Sequence, residues 1–137
     1  MPAAKGQILF VDDDADIRFM LTTFLGLSGY VVTAAGTLAD GLSLAQSGRF
    51  DLYLLDNLLA DGTGLELCQR LREFDPRTPI LFYSGDAEGS ARQQALSVGA
   101  QEYLMKPDDL EGLEQTIAKL LGDRRPGEQD QQLKAAR

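Results

Sequence analysis

Apolar and polar positions along this chain fall into blocks, and the blocks switch period in a regular order. "QILFVD" (residues 7–12) is a short apolar run of strand length that ends in an aspartate. In the next block Ile17, Met20, Leu21, Phe24 and Leu25 recur at i, i+3, i+4, i+7 and i+8, the inward face of an amphipathic helix. Asp14 or Asp16 can cap that helix, and Gly29 lies just past its end. "YVVTAA" (30–35), rich in β-branched residues, is a second strand, and "TLADGLSLAQSG" (37–48) a second helix. Thr37 and Asp40 form a capping-box variant at its start, and Gly48 closes it. "DLYLLD" (51–56) is a third strand, followed by a helix over "GLELCQRLREF" (64–74) that "DPRTP" stops. "PILFYS" (79–84) and "EYLM" (102–105) complete the strands. A weakly patterned helix, "AEGSARQQALSVG" (87–99), lies between them, and "DLEGLEQTIAKLLG" (109–122) follows with Leu110, Leu113, Ile117 and Leu120 on one face.

Five strands alternating with five helices across short loops predict an α/β fold, a doubly wound five-stranded parallel sheet with helices on both faces. The near-continuous apolar strands agree, because parallel strands are buried on both sides. A chain of 137 residues, 44% apolar and 25% charged, suits one soluble domain. The formal net charge of −8 argues against contact with nucleic acid or an anionic membrane surface. No run reaches the roughly 20 apolar residues of a membrane span. "MPAAKGQ" lacks the apolar core of a signal peptide, so the expected setting is the cytosol. Cys68 is the single cysteine and is expected to be a buried structural residue. There is no histidine, which excludes Ser-His-Asp and Cys-His catalysis and the common zinc sites.

In an open parallel sheet, sites form at the carboxyl ends of the strands. There the sequence places Asp12 and Asp13 after the first strand, Asp56 after the third, Ser84 at the end of the fourth and Lys106, followed by Pro107, after the fifth. Clustered carboxylates repel one another, and burial strengthens the repulsion, so the cluster calls for a cation. Mg²⁺ fits, since it takes oxygen ligands and is held by one or two carboxylates together with a phosphoryl oxygen. Asp13 and Asp56 are the expected direct ligands, with Asp12 acting through a water and a backbone carbonyl near Leu58 adding another oxygen. Asp56 is the candidate nucleophile toward a phosphoryl group. Lys106 and Mg²⁺ would neutralise the equatorial oxygens, and Ser84 would donate a hydrogen bond to one of them.

These segments resemble the response-regulator receiver domain of two-component signalling. The resemblance runs over about residues 6–121 and rests on "VDDD", on "LLD" with "DGTGLEL" beyond it, on "YSGD" and on "EYLMKP", in order and each at a strand end. It implies the flavodoxin-like receiver fold, Asp56 as phosphoacceptor, Asp12 and Asp13 as the acidic pair, and Mg²⁺ on Asp13 and Asp56. Ser84 matches the family's switch hydroxyl, Tyr103 its switch aromatic and Lys106 its lysine. It further implies a phosphohistidine donor on a sensor histidine kinase or a histidine phosphotransfer protein. One position departs from the pattern. Ala60 stands where the family usually has proline four residues after the phosphoacceptor, so "NLLADGTG" is expected to be a less rigid loop.

The expected organisation is an N-terminal extension over 1–6, a receiver domain over 7–122 and a polar tail over 123–137. Output is expected through a downstream protein target or a phosphorelay, with no separate substrate turned over, as a monomer or a phosphorylation-dependent dimer. Ser84 moving toward the phosphoryl group would vacate space for Tyr103 to turn inward. The face carrying Ala91, Gln94, Ala95 and Tyr103 would then dock a partner differently. The first rival is a receiver-like interaction module indifferent to phosphate. The second is a Mg²⁺-dependent phosphohydrolase, because "LLADGT" is similar to the haloacid-dehalogenase phosphatase motif. That motif requires a carboxylate where this chain has Leu59.

Overall fold

The computed structural model describes residues 5–85, 89–106 and 110–122. Pro107, Asp86, the start of the fourth predicted helix, Asp109 and the tail over 123–137 lie outside the described residues. The chain runs β1 (Gly6–Val11), α1 (Ala15–Leu27), β2 (Tyr30–Ala35), α2 (Leu38–Ser47), β3 (Leu52–Leu55), β4 (Leu58–Leu59), β5 (Gly62–Thr63), α3 (Gly64–Phe74), β6 (Ile80–Ser84), α4 (Gly89–Ser97), β7 (Glu102–Met105) and α5 (Leu110–Gly122). Five of these strands form one parallel sheet in the order β2-β1-β3-β6-β7. The short β4 and β5 pair with each other as an antiparallel hairpin that the strand pattern did not predict.

Strand alternation sorts the core into two layers. Leu9 and Val11, Tyr53 and Leu55, and Ile80 and Phe82 face α2, α3 and α4, where Leu67, Cys68, Leu71 and Ala95 meet them. Ile8 and Phe10, Leu52 and Leu54, and Leu81 and Tyr83 face α1 and α5, and pack on Leu21, Leu25, Leu113 and Ile117. Both faces of the central strands are therefore dry, as the unbroken apolar runs require. Met20 departs from the predicted α1 face. It is 40% exposed, because the inward stripe runs through Ile17, Leu21, Phe24 and Leu25 and leaves Met20 at its margin. Cys68 is fully buried, and burial pushes its thiol up to about 11, with Arg72 opposing. No helix among the described residues is long and apolar enough to cross a membrane.

Helix starts follow local chemistry. Asp14 caps α1 by accepting from the Asp16 and Ile17 amides at 2.9 and 3.2 Å. Thr37 caps α2 by accepting from the Asp40 amide at 3.0 Å. Gly29 and Gly99, past the ends of α1 and α4, take φ of +104° and +112°, which glycine adopts without strain.

Candidate functional site

Sheet register brings the acids together. Val11 of β1 lies opposite Leu55 of β3, so Asp12 and Asp56 leave the sheet side by side. The Asp56 amide donates to the Val11 carbonyl at 2.9 Å, and the Asp12 amide to the Ala35 carbonyl at 3.1 Å. The chain crosses to β2 on one side of β1 and returns to β3 on the other. The crevice between β1 and β3 is thus the topological switch point, where α/β sheets open a site. At the next strands Ser84 ends β6 opposite Met105 of β7, and the Lys106 amide donates to the Ser84 carbonyl at 2.8 Å. Asp12, Asp13, Asp56, Ser84 and Lys106 therefore share one edge of the sheet.

Lys106 reaches back across that edge. Its ammonium donates to Asp12 Oδ2 at 2.6 Å and lies 3.5 Å from Asp56 Oδ2. The other Asp12 oxygen accepts from the Asp14 amide at 2.9 Å, so both oxygens of this buried carboxylate are engaged. The Arg18 guanidinium fixes the backbone here by donating to the Asp12 carbonyl at 2.7 Å. Burial pushes the Asp56 carboxyl above its ordinary value of 3.8. The Lys106 charge opposes that shift, Asp12 adds to it, and hydrogen bonds from the Ser84 hydroxyl and the Leu58 amide oppose it. Burial pulls the Lys106 ammonium down, but its hydrogen bond to Asp12 and the charges of Asp12 and Asp56 outweigh that and hold it above 10.5.

One oxygen from each of Asp12, Asp13 and Asp56 lies within 4.8 Å of the others, the only such grouping among the described residues. This donor set suits a hard divalent cation: all oxygen, anionic in excess of the one ammonium beside it, and open to water on the side of exposed Asp13. Mg²⁺ fits these residues.

The segment after β3 adds contacts around Asp56 that the sequence does not show. Asn57 is buried; its carbonyl accepts from the Gly64 amide at 2.8 Å and its Oδ1 from the Leu65 amide at 3.3 Å. These bonds bring the start of α3 against the back of Asp56. A Cβ on Gly64 would collide with the Asp56 carbonyl and come within 2.8 Å of the Phe82 ring, so only glycine permits the approach. Asp61, within the loop expected over "NLLADGTG", accepts from the Leu38 and Ala39 amides at 2.7 and 3.1 Å. The "DGTG" pattern signals a turn in the sequence, but the α2 partner is 23 residues away.

Tyr103 stands on β7 opposite Phe82 of β6. Its side chain is already inward, 3% exposed and stacked on Phe82 with ring centroids 5.7 Å apart. Ala91 and Ala95, placed on a docking face from sequence, are core residues at 4% and 0% exposure. The weak polar pattern of α4 hid the inward side of that helix.

A five-stranded parallel sheet in this order, with a carboxylate cluster and a lysine meeting at its carboxyl edge, defines a receiver. The sequence profile of the response regulator receiver domain matches residues 8–118, and the chain belongs to that family. The uncharacterized transcriptional regulatory protein YkoG of Bacillus subtilis is 36% identical over 109 residues, covering 80% of this chain and 48% of YkoG. The response regulator protein PilR of Pseudomonas aeruginosa is 34% identical over 123 residues, covering 90% of this chain and 28% of PilR. The chain thus spans half or less of the length of these two curated relatives. Among solved structures, the CheY-like receiver domain protein of Methanospirillum hungatei superposes with a TM-score of 0.84 at 30% identity, covering 89% of this chain and 96% of that one. The fold and its place in two-component signalling follow from this membership.

Proposed function

We propose that residues 7–122 form a phosphorylation-switched unit that takes a phosphoryl group onto Asp56 from a phosphohistidine. The donor would be a sensor histidine kinase or a histidine phosphotransfer protein. The observation that carries this reading is the buried Asp56 carboxylate, flanked by Asp12 and Asp13 and faced by the Lys106 ammonium at 3.5 Å. In the transfer an Asp56 oxygen forms the new bond to phosphorus, the P–N bond to the donor breaks, and the imidazole leaves with the electron pair. When bound, Mg²⁺ would supply charge neutralisation at the transferring oxygens. Asp13, Asp56 and the Leu58 carbonyl would hold it, with Asp12 acting through water. Lys106 and the Ser84 hydroxyl, both directed at Asp56 here, would follow the new charge onto the phosphoryl oxygens.

Tyr103 would then report the event. Because its ring is already inward, phosphorylation would favour a conformation that the chain samples beforehand. Output would be a protein contact or onward phosphoryl transfer; the chain's net charge of −8 disfavours nucleic-acid contact.

Intact mass after incubation with acetyl phosphate tests the reading. A gain of one phosphoryl group that requires Mg²⁺ and is absent in Asp56→Asn is the expected result. No gain, where a control receiver is labelled, would overturn it in favour of a phosphate-independent module.

A further inference from the structure

The β4–β5 hairpin has little to hold it in place by itself. Each strand is two residues long, and the connecting turn consists of Ala60 and Asp61. Two-residue hairpin turns match the twist of their strands when the central residues take positive φ. No non-glycine residue among the described ones has positive φ, so the turn lacks the favoured geometry. Nor does Ala60 restrict the backbone as a proline would. Even so, this hairpin begins at Leu58, whose amide hydrogen-bonds the Asp56 carboxylate.

What anchors it lies across the molecule. The two Asp61 oxygens take the Leu38 and Ala39 amides at 2.7 and 3.1 Å, and Thr37 takes the Asp40 amide at 3.0 Å. Together they satisfy the first three amides of α2, which no intrahelical carbonyl can reach. The negative carboxylate also meets the positive end of the α2 dipole. Next to it Gly62 is pressed against Leu38, with an added Cβ coming within 2.8 Å of Leu38 Cδ1. The turn is thus held by charge-assisted hydrogen bonds on one side and close packing on the other.

We infer that Asp61 is a positioning residue for the Asp56 site: by clamping the β4–β5 turn to the first turn of α2 it fixes the Leu58 backbone beside Asp56. This rests on the reading of Asp56 and its neighbours as a Mg²⁺ site. The clamp does the work that a proline at position 60 would otherwise do by restricting the chain.

Mg²⁺ titration of the purified chain, followed by the Mg²⁺-dependent shift in thermal unfolding, tests the clamp without reference to phosphoryl uptake. Asp61→Ala is expected to weaken Mg²⁺ binding about tenfold, the usual scale for losing a partner that orients a metal ligand. Asp61→Asn keeps an acceptor for one amide and should lose less. Thr37→Ala removes a cap from the same helix but leaves the clamp, and should bind Mg²⁺ as the wild type does. Ala60→Pro combined with Asp61→Ala should recover most of the affinity, by restricting the turn in another way. Wild-type affinity in a folded Asp61→Ala chain, or an equal loss in Thr37→Ala, would overturn the inference and leave Asp61 as a helix cap only. A wild-type chain that binds no Mg²⁺ would overturn the site reading, and the clamp with it.

Discussion

Asp12 and Asp56 are the same residue type, side by side at the ends of neighbouring strands, yet their settings differ. Asp12 has both oxygens engaged, by Lys106 and the Asp14 amide, and is fixed from behind by Arg18. Asp56 sits 3.5 Å from the shared ammonium, and burial raises its carboxyl above 3.8. A carboxylate whose folded value is raised costs the fold stability wherever it is ionised. The cost is absent below 3.8 and complete above the raised value, so stability falls as pH climbs through that window. Asp56→Asn is therefore expected to be more stable than the wild type at pH 7 without Mg²⁺, by on the order of 1 kcal/mol. The difference should shrink on acidification toward pH 4; a variant less stable than the wild type at pH 7 would count against this account. Asp75, at the opposite end of the sheet, has the reverse sign. Burial opposes its charge, but Thr78, Tyr53 and the Arg77 amide outweigh burial and hold it at about 2, so its contribution is present above 3.8 and lost as pH falls toward 2. That Asp12, Asp13, Asp56, Ser84 and Lys106 would share one edge was legible in the sequence, because a parallel sheet sends every strand end to that edge. The inward Tyr103 was not, since four residues of strand leave both of its faces plausible.

Among the elements, the long ones were legible and the short one was not. Five strands and five helices follow from period and punctuation, but a two-residue strand has no period to read, and "LLADGT" shows only a turn. Contacts that join elements far apart in sequence were equally hidden. Arg72, one exposed-looking cation in the α3 pattern, ties the end of α3 to two other connections. Its guanidinium donates to the Gly99 carbonyl at 3.1 and 2.8 Å, to the Asp75 and Thr78 carbonyls at 2.9 and 2.8 Å, and to Gln101 Oε1 at 3.1 Å. Gln101 Oε1 in turn accepts from the Ile80 amide at 2.7 Å, which fixes the start of β6. A planar fork is needed to reach both connections at once, and an ammonium cannot replace it. Arg72→Lys should cost about 2 kcal/mol and Arg72→Ala about 3 kcal/mol. Urea unfolding with unchanged slope would measure both. A lysine variant as stable as the wild type would show that the fork geometry is dispensable.

At the scale of the whole molecule, the site is a charge balance that the fold holds slightly open. Three carboxylates meet one ammonium at the sheet edge, a formal deficit of two positive charges, in a chain that is already at −8. The strands fix the acids through their register, so the deficit cannot be relieved by moving them apart. A divalent cation would cancel it, and the ammonium and the metal would then compete for the same oxygens while repelling each other. Lys106 is therefore expected to have opposite effects on fold stability and on metal affinity. Without metal, Lys106→Ala removes the partner of a fully buried carboxylate and should cost about 3 kcal/mol. With Mg²⁺ the same variant presents an uncontested oxygen set, and binding adds stability as RT ln(1 + [L]/Kd), about 2.7 kcal/mol at a hundredfold excess over Kd. The Mg²⁺-induced rise in unfolding midpoint should thus be larger in Lys106→Ala than in the wild type, and smallest in Asp56→Asn, which lacks an anionic ligand. Equal rises in Lys106→Ala and the wild type would mean that the ammonium and the metal do not share these carboxylates, and the charge balance would have to be sought elsewhere along the edge.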